Sequence, residues 1–99
     1  TYFREYLRLK PQDIAARMEL AGLLREQREF AGAIREYEEV MRQHADLPAA
    51  HYDLAVALES AGQRERARQE YQLYLQLSPN APDAAQVRAH LRRLGSTTQ

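Results

Sequence analysis

The side chains best suited to hold a metal ion or pass a proton near neutral pH are three histidines, His44, His51 and His90. Their spacing suits no shared metal. The helical pattern puts them at a helix end, at a packing position and on the last helix respectively, so they read as boundary and surface histidines. Ser60, Ser78 and Ser96 lack the flanking glycines that expose a nucleophilic serine on a tight turn, and no glycine-rich loop is present to cradle a phosphate. With no cysteine in the chain, thiolate metal clusters, thiol nucleophiles and disulfides are excluded. Glu36, Glu38 and Glu39 crowd one stretch, where the expectation is a solvated helix face. These residues lead to no catalytic, metal-binding or cofactor-binding site.

The elements that carry them are helices. Ala, Leu, Arg, Glu and Gln dominate the 99 residues while glycine and proline number only four each, a helix-forming inventory. One compact core fits this length; two do not. The 14 basic and 14 acidic side chains cancel, which argues against gripping nucleic acid or an anionic membrane by net charge. No stretch approaches the roughly 18 apolar residues of a membrane helix. Thirteen of the 14 basic residues are arginine, a bias that fits a GC-rich genome and carries no functional weight. The opening Thr-Tyr-Phe-Arg has neither an initiator Met nor a signal-peptide profile, and the expectation is a piece of a longer or processed protein.

A period of 34 residues organises the chain. It aligns Phe3, Tyr37 and Tyr71; Tyr6, Val40 and Tyr74; Leu7, Met41 and Leu75; Pro11, Ala45 and Pro79; Ala21, Ala55 and Ala89; and Leu23, Ala57 and Leu91. Leu20 with Leu54, Leu24 with Leu58, and Ala33 with Ala67 add paired columns. Within each unit the apolar steps of three and four predict helices: 14–27 through Met18, Leu20, Ala21, Leu23 and Leu24, then 30–43 through Phe30, Ala33, Ile34, Tyr37, Val40 and Met41. Arg28 and Glu29 turn the chain between them. Asp46 is the expected N-cap of the next helix, with Pro48 in its first turn and Gly62 leaving it in a left-handed conformation. Ser78-Pro79-Asn80 closes the second unit. Asn80 or Ala81 should begin a last helix with Pro82 in its first turn, Gly95 should end it, and the terminal Ser-Thr-Thr-Gln should fray.

These 34-residue helix-turn-helix units, with Leu54-Ala55, Leu58, Gly62, Ala67, Tyr71 and Pro79 at their fixed places, resemble a tetratricopeptide repeat array over essentially all 99 residues. The first unit departs from the pattern at Arg28, where the family has a turn glycine, and at Ala45, where it has a proline. Arg17 and His51 stand where the family has tryptophan. The resemblance implies an all-α, right-handed superhelical solenoid of antiparallel helix pairs with about six helices. Its parts would be the second helix of a preceding repeat (1–13), two repeats (14–47 and 48–81) and a capping helix with a tail (82–99). Arg88 and Arg92 occupy columns where other units have leucine, so charge there would face water, while Val87, Leu91 and Leu94 pack inward.

The same resemblance implies a non-catalytic interaction scaffold that binds a protein or peptide segment in its concave groove, or the docking arm of a larger enzyme or assembly factor. The wall would be Ala15, Met18, Gly22 and Arg25, then Ala49, Tyr52, Val56 and Glu59, then Asp83, Gln86 and His90. The family's carboxylate clamp of Lys, Asn and Arg is missing: the corresponding positions hold Met18, Gly22, Val56, Asp83 and Val87. Gly22 serves either close approach of a ligand backbone or close packing between helices; Tyr52 is either an anchoring aromatic or groove lining. An RNA-reading repeat would need base-specifying polar pairs and a basic groove, and neither is visible. Tyr2, Phe3, Tyr6, Leu7 and Leu9 make an apolar face on the first helix, from which the expectation is a homodimer through that helix or continuation into further repeats.

Overall fold

The computed structural model describes residues 2–96, the side chain of Ser96 excepted, and within them the chain forms six helices and no strand. They are α1 (Tyr2–Leu9), α2 (Ile14–Glu26), α3 (Phe30–Gln43), α4 (Pro48–Ser60), α5 (Arg64–Leu77) and α6 (Ala84–Ser96). Links of three to six residues fold successive helices back on one another, with α2 packed on α3, α3 on α4 and α4 on α5. The first helices of neighbouring pairs, α2 and α4, also touch. Stacking in one direction gives an elongated body of 44 × 26 × 19 Å. The fold is the solenoid of antiparallel helix pairs that the resemblance implies.

The core follows the columns. Leu54, Ala55, Ala57 and Leu58 are wholly buried on α4, as are Ala33 on α3 and Ala67 on α5, where a methyl group leaves room for a neighbouring helix to approach. Tyr37 and Val40 complete the centre. Leu23 departs from its column: it is 41% exposed although Ala57 is buried, because beside α1 it borders an open slot lined by Phe3, Arg4 and Gln27.

Both intra-pair turns are closed by the same hydrogen bonds, displaced by 34 residues. Glu29 N–H donates to the Leu24 carbonyl and Gln63 N–H to that of Leu58, each at 2.8 Å. Each turn holds one residue in the left-handed region, Arg28 at φ 64° and Gly62 at φ 84°. The missing glycine therefore changes the cost of the first turn and not its shape. Arg28 offsets part of that cost by placing its guanidinium 5.5 Å from the Phe30 ring centroid.

The columns that lost tryptophan carry a polar clamp. Arg17 donates to Glu36 Oε1 at 2.7 Å and to the Pro11 carbonyl at 2.9 Å. Thirty-four residues on, His51 Nδ1 lies 2.6 Å from Glu70 Oε1, with Nε2 2.7 Å from the Ala45 carbonyl. Each clamp ties the start of one helix to the helix behind it and to the link in front. Glu36 is therefore not part of a solvated face: its side chain is 19% exposed and paired. Glu38 pairs with Arg66 and Glu39 with Arg42.

Other expectations at helix ends are corrected. Leu47, not Asp46, is the N-cap of α4, and no side chain caps it. Pro48 with its preset φ is the first helical residue, so the capping place falls immediately before it and Asp46 lies one residue too early. The last helix starts at Ala84 with Pro82 outside it, because a further turn intervenes, closed by Ala84 N–H on the Ala81 carbonyl. It runs through Gly95 to Ser96, and Gly95 has no positive φ that would end it. Residues 97–99, part of the tail expected to fray, lie outside the described residues. Arg88 and Arg92 are exposed on α6 while Val87 and Leu94 are buried, the polarity read from the columns.

Candidate functional site

The wall expected from the resemblance falls on α2, α4 and α6, whose positions 18, 22 and 25, then 52, 56 and 59, then 86 and 90 recur at the 34-residue offset. One helical turn separates successive members, so each helix presents them as a stripe. At the centre stands Tyr52, half-buried, with its ring edge-on to Tyr74 at 5.2 Å and to Tyr71 at 5.7 Å. Tyr71 in turn meets the His90 ring at 5.3 Å.

Carboxylates hold this aromatic group in place. Glu59 Oε1 accepts from the Tyr71 hydroxyl at 3.0 Å and from His90 Nε2 at 2.8 Å, which sets His90 with its Nε2 protonated. Asp83 Oδ1 accepts from the Tyr74 hydroxyl at 2.6 Å. That bond, aided by desolvation, pushes the Tyr74 phenol up to about 12. Burial first, then the Glu59 charge, raises Tyr71 further still. Burial lifts Tyr37 to about 12. It also raises Asp53 above the usual carboxylate range, against the pull of Arg25 at 4.0 Å. The Tyr71 and Tyr74 phenols are thus donors held neutral well into alkaline pH, with Glu59 and Asp83 as their acceptors.

Two depressions flank Tyr52. One, of about 270 Å³, is lined by Tyr52, Tyr71, Asp83, Gln86, Val87, His90 and Arg93. The other, of about 450 Å³, is lined by Leu47, Pro48, Ala49, Tyr52 and Asp53 at the start of α4 and by Tyr74, Ser78 and Asp83. Of the wall residues named from sequence, Ala49, Tyr52, Asp83, Gln86 and His90 therefore converge, and Glu59 joins them through His90. Met18 and Val56 are half-buried against the core. Arg25 reaches α4 through Asp53. Ala15 lies apart, in a depression near α1 with Tyr2, Phe3, Tyr6 and Asp13.

Gly22 resolves one alternative. A Cβ built there meets nothing within 4 Å, so close helix packing is not its reason, and the wall is open at that point. On α1, Leu7 is 6% exposed and belongs to the core, which removes it from any self-association face. Helix α1 packs on α2, and the column that points Leu7 inward is shared with Met41 and Leu75. Tyr2 is exposed; Phe3 and Tyr6 are half-buried. The Tyr6 hydroxyl donates to Asp13 at 2.7 Å, which raises the phenol and lowers the carboxyl, and Asp13 also caps α2 through Ala16 N–H.

Tyr71, Tyr74, Asp53 and Arg93 also line the two depressions and were not among the residues named from sequence. Tyr71 and Tyr74 stand in columns whose members one repeat earlier, Tyr37 and Val40, are buried, yet both line the depressions beside Tyr52. A signal was present in Asp83, an acid just beyond the tyrosine column, as Asp13 is beyond Tyr6. Among the described residues no group of three His, Asp or Glu side chains converges to hold a metal ion, and no helix is long and apolar enough to cross a membrane.

A family model described as tetratricopeptide repeat matches residues 24–91. No curated protein matches the chain.

Proposed function

The chain belongs to the tetratricopeptide repeat family, whose repeats generally mediate protein–protein interaction, and from that premise we propose a non-catalytic adaptor that seats an extended segment of a partner protein along the α2–α4–α6 wall. The observation that carries this reading is Tyr52. Its ring is held edge-on by two tyrosines whose own hydroxyls are committed to Glu59 and Asp83, and it borders both depressions. A large, rigid aromatic in such a position loses little rotamer freedom when a partner covers it, which is why aromatics dominate interface energetics. Val56, one turn on, adds apolar area on the same stripe. The reading holds equally for a chain that acts alone and for the docking arm of a larger enzyme or assembly factor.

Selection of a displayed random-peptide library on the immobilised chain tests it. Retained peptides should bind the wild type and lose binding to Tyr52→Ala combined with Val56→Glu, with helical circular dichroism unchanged. Peptides that bind both proteins equally, or a library that yields none, would overturn the groove assignment.

A further inference from the structure

The depression between α4 and the α5–α6 link combines apolar with acidic and aromatic lining. Leu47, Pro48, Ala49, Tyr52 and Asp53 line it from the start of α4, and Tyr74, Ser78 and Asp83 from the end of α5 and the link that follows. No basic side chain lines it among the described residues. Arg25 stands off Asp53 at 4.0 Å, and the Asp53 side chain keeps about a third of its surface in water. Asp83 gives Oδ1 to Tyr74, and no hydrogen bond engages its Oδ2 among the described residues. The Tyr52 hydroxyl likewise makes none there, whereas those of Tyr71 and Tyr74 are both engaged.

Apolar walls that end in two carboxylates and two phenol rings match one kind of side chain: an aliphatic stem with a cationic head. The stem covers Leu47, Pro48 and Ala49, and the head lies against the tyrosine rings within reach of Asp53 and Asp83. Asp53 is also destabilised as an anion by its own desolvation, so an added cation has something to gain there. The neighbouring depression is less acidic, since Asp83 shares it with His90 and Arg93 and the Glu59 charge is already shared by Tyr71 and His90. We infer that the groove selects partner segments carrying an arginine or lysine, and that this residue seats between Tyr52, Tyr74, Asp53 and Asp83. The inference rests on the groove reading above and adds the chemistry of the partner.

The same displayed library, with Asp53→Asn/Asp83→Asn as a second bait, separates the two. Peptides retained by the wild type should be enriched in one arginine or lysine position. Synthetic copies should bind the asparagine variant about tenfold more weakly, a step the size of one ion pair, and high salt should weaken their binding to the wild type more than to the variant. Asparagine keeps the acceptor for the Tyr74 hydroxyl, and circular dichroism checks the fold. Peptides that need Tyr52 and Val56 but are purely apolar or acidic would overturn the basic-residue inference and leave the groove reading standing. Peptides indifferent to Tyr52 and Val56 would overturn both. A concentration-dependent dimer, seen by sedimentation and broken by Asp53→Asn/Asp83→Asn, would put a second copy's arginine in the depression and overturn the peptide assignment.

Discussion

The α2–α3 pair and the α4–α5 pair are alike where they hold the fold and unlike where they face the groove. Ala33 and Ala67, Tyr37 and Tyr71, the clamps of Arg17 and His51, and the turns at Arg28 and Gly62 all superpose at the 34-residue offset. The wall triplets do not: Met18, Gly22 and Arg25 on α2 stand against Tyr52, Val56 and Glu59 on α4. A scaffold position must satisfy a neighbour in its own chain, so its chemistry is constrained by packing. A wall position meets solvent or partner and is free to diverge. The difference between the pairs is where the proposed site lies, centred on the second pair.

The largest way to break the likeness is at the clamps. Glu36→Ala leaves the Arg17 guanidinium, which cannot give up its charge and whose side chain is 14% exposed, without its carboxylate, and should cost about 3 to 5 kcal/mol. Glu70→Ala should cost less, about 1 to 3 kcal/mol, because an imidazole, unlike a guanidinium, need not carry a charge and His51 loses one hydrogen bond. Urea midpoints at constant m-value measure both; equal losses would mean that the stranded charge does not distinguish the two junctions.

The turns give an intermediate effect of opposite sign. Gly62→Arg forces a second bulky side chain into the left-handed region and should destabilise by about 1 to 2 kcal/mol. Arg28→Gly should stabilise, by less than that range, since it also gives up the contact with Phe30. Thermal melts that move in the same direction for both variants would contradict the shared turn geometry.

Gly22 gives the smallest and most informative change. Its equivalent on α4 is Val56, and an added methyl meets nothing within 4 Å, so Gly22→Ala should stabilise by about 0.5 to 1 kcal/mol through helix propensity alone. A melting temperature that falls would show that the α2 wall is closed. A rise that comes with weaker peptide capture would place a ligand backbone against Gly22.

Much of this was legible in the residues. The period, the buried alanines, the two turn positions and the blunted face of α6 follow from apolar spacing and from where glycine and charge interrupt it, because a helix pair buries the same columns in every unit. Helix ends were less legible. Asp46 has the right chemistry for a cap but sits one residue away from where Pro48 makes the helix begin, and capping acts over a single position. The wall columns could be named; their union around Tyr52 could not. Periodicity tells which face of each helix points inward to the groove, but it does not tell which side chains from different helices meet.

By itself the sequence determined the repeat, the helices and the register in which they pack, since these rest on patterns within 34 residues. Tertiary structure alone decided that Arg17 and His51 grip a carboxylate and a backbone carbonyl in place of tryptophan packing. It also decided that Glu59 joins Tyr71 to His90 and that Asp83 reaches back to Tyr74. Those contacts join residues 6 to 31 positions apart, over distances where a hydrogen bond depends on tenths of an ångström that no spacing rule specifies.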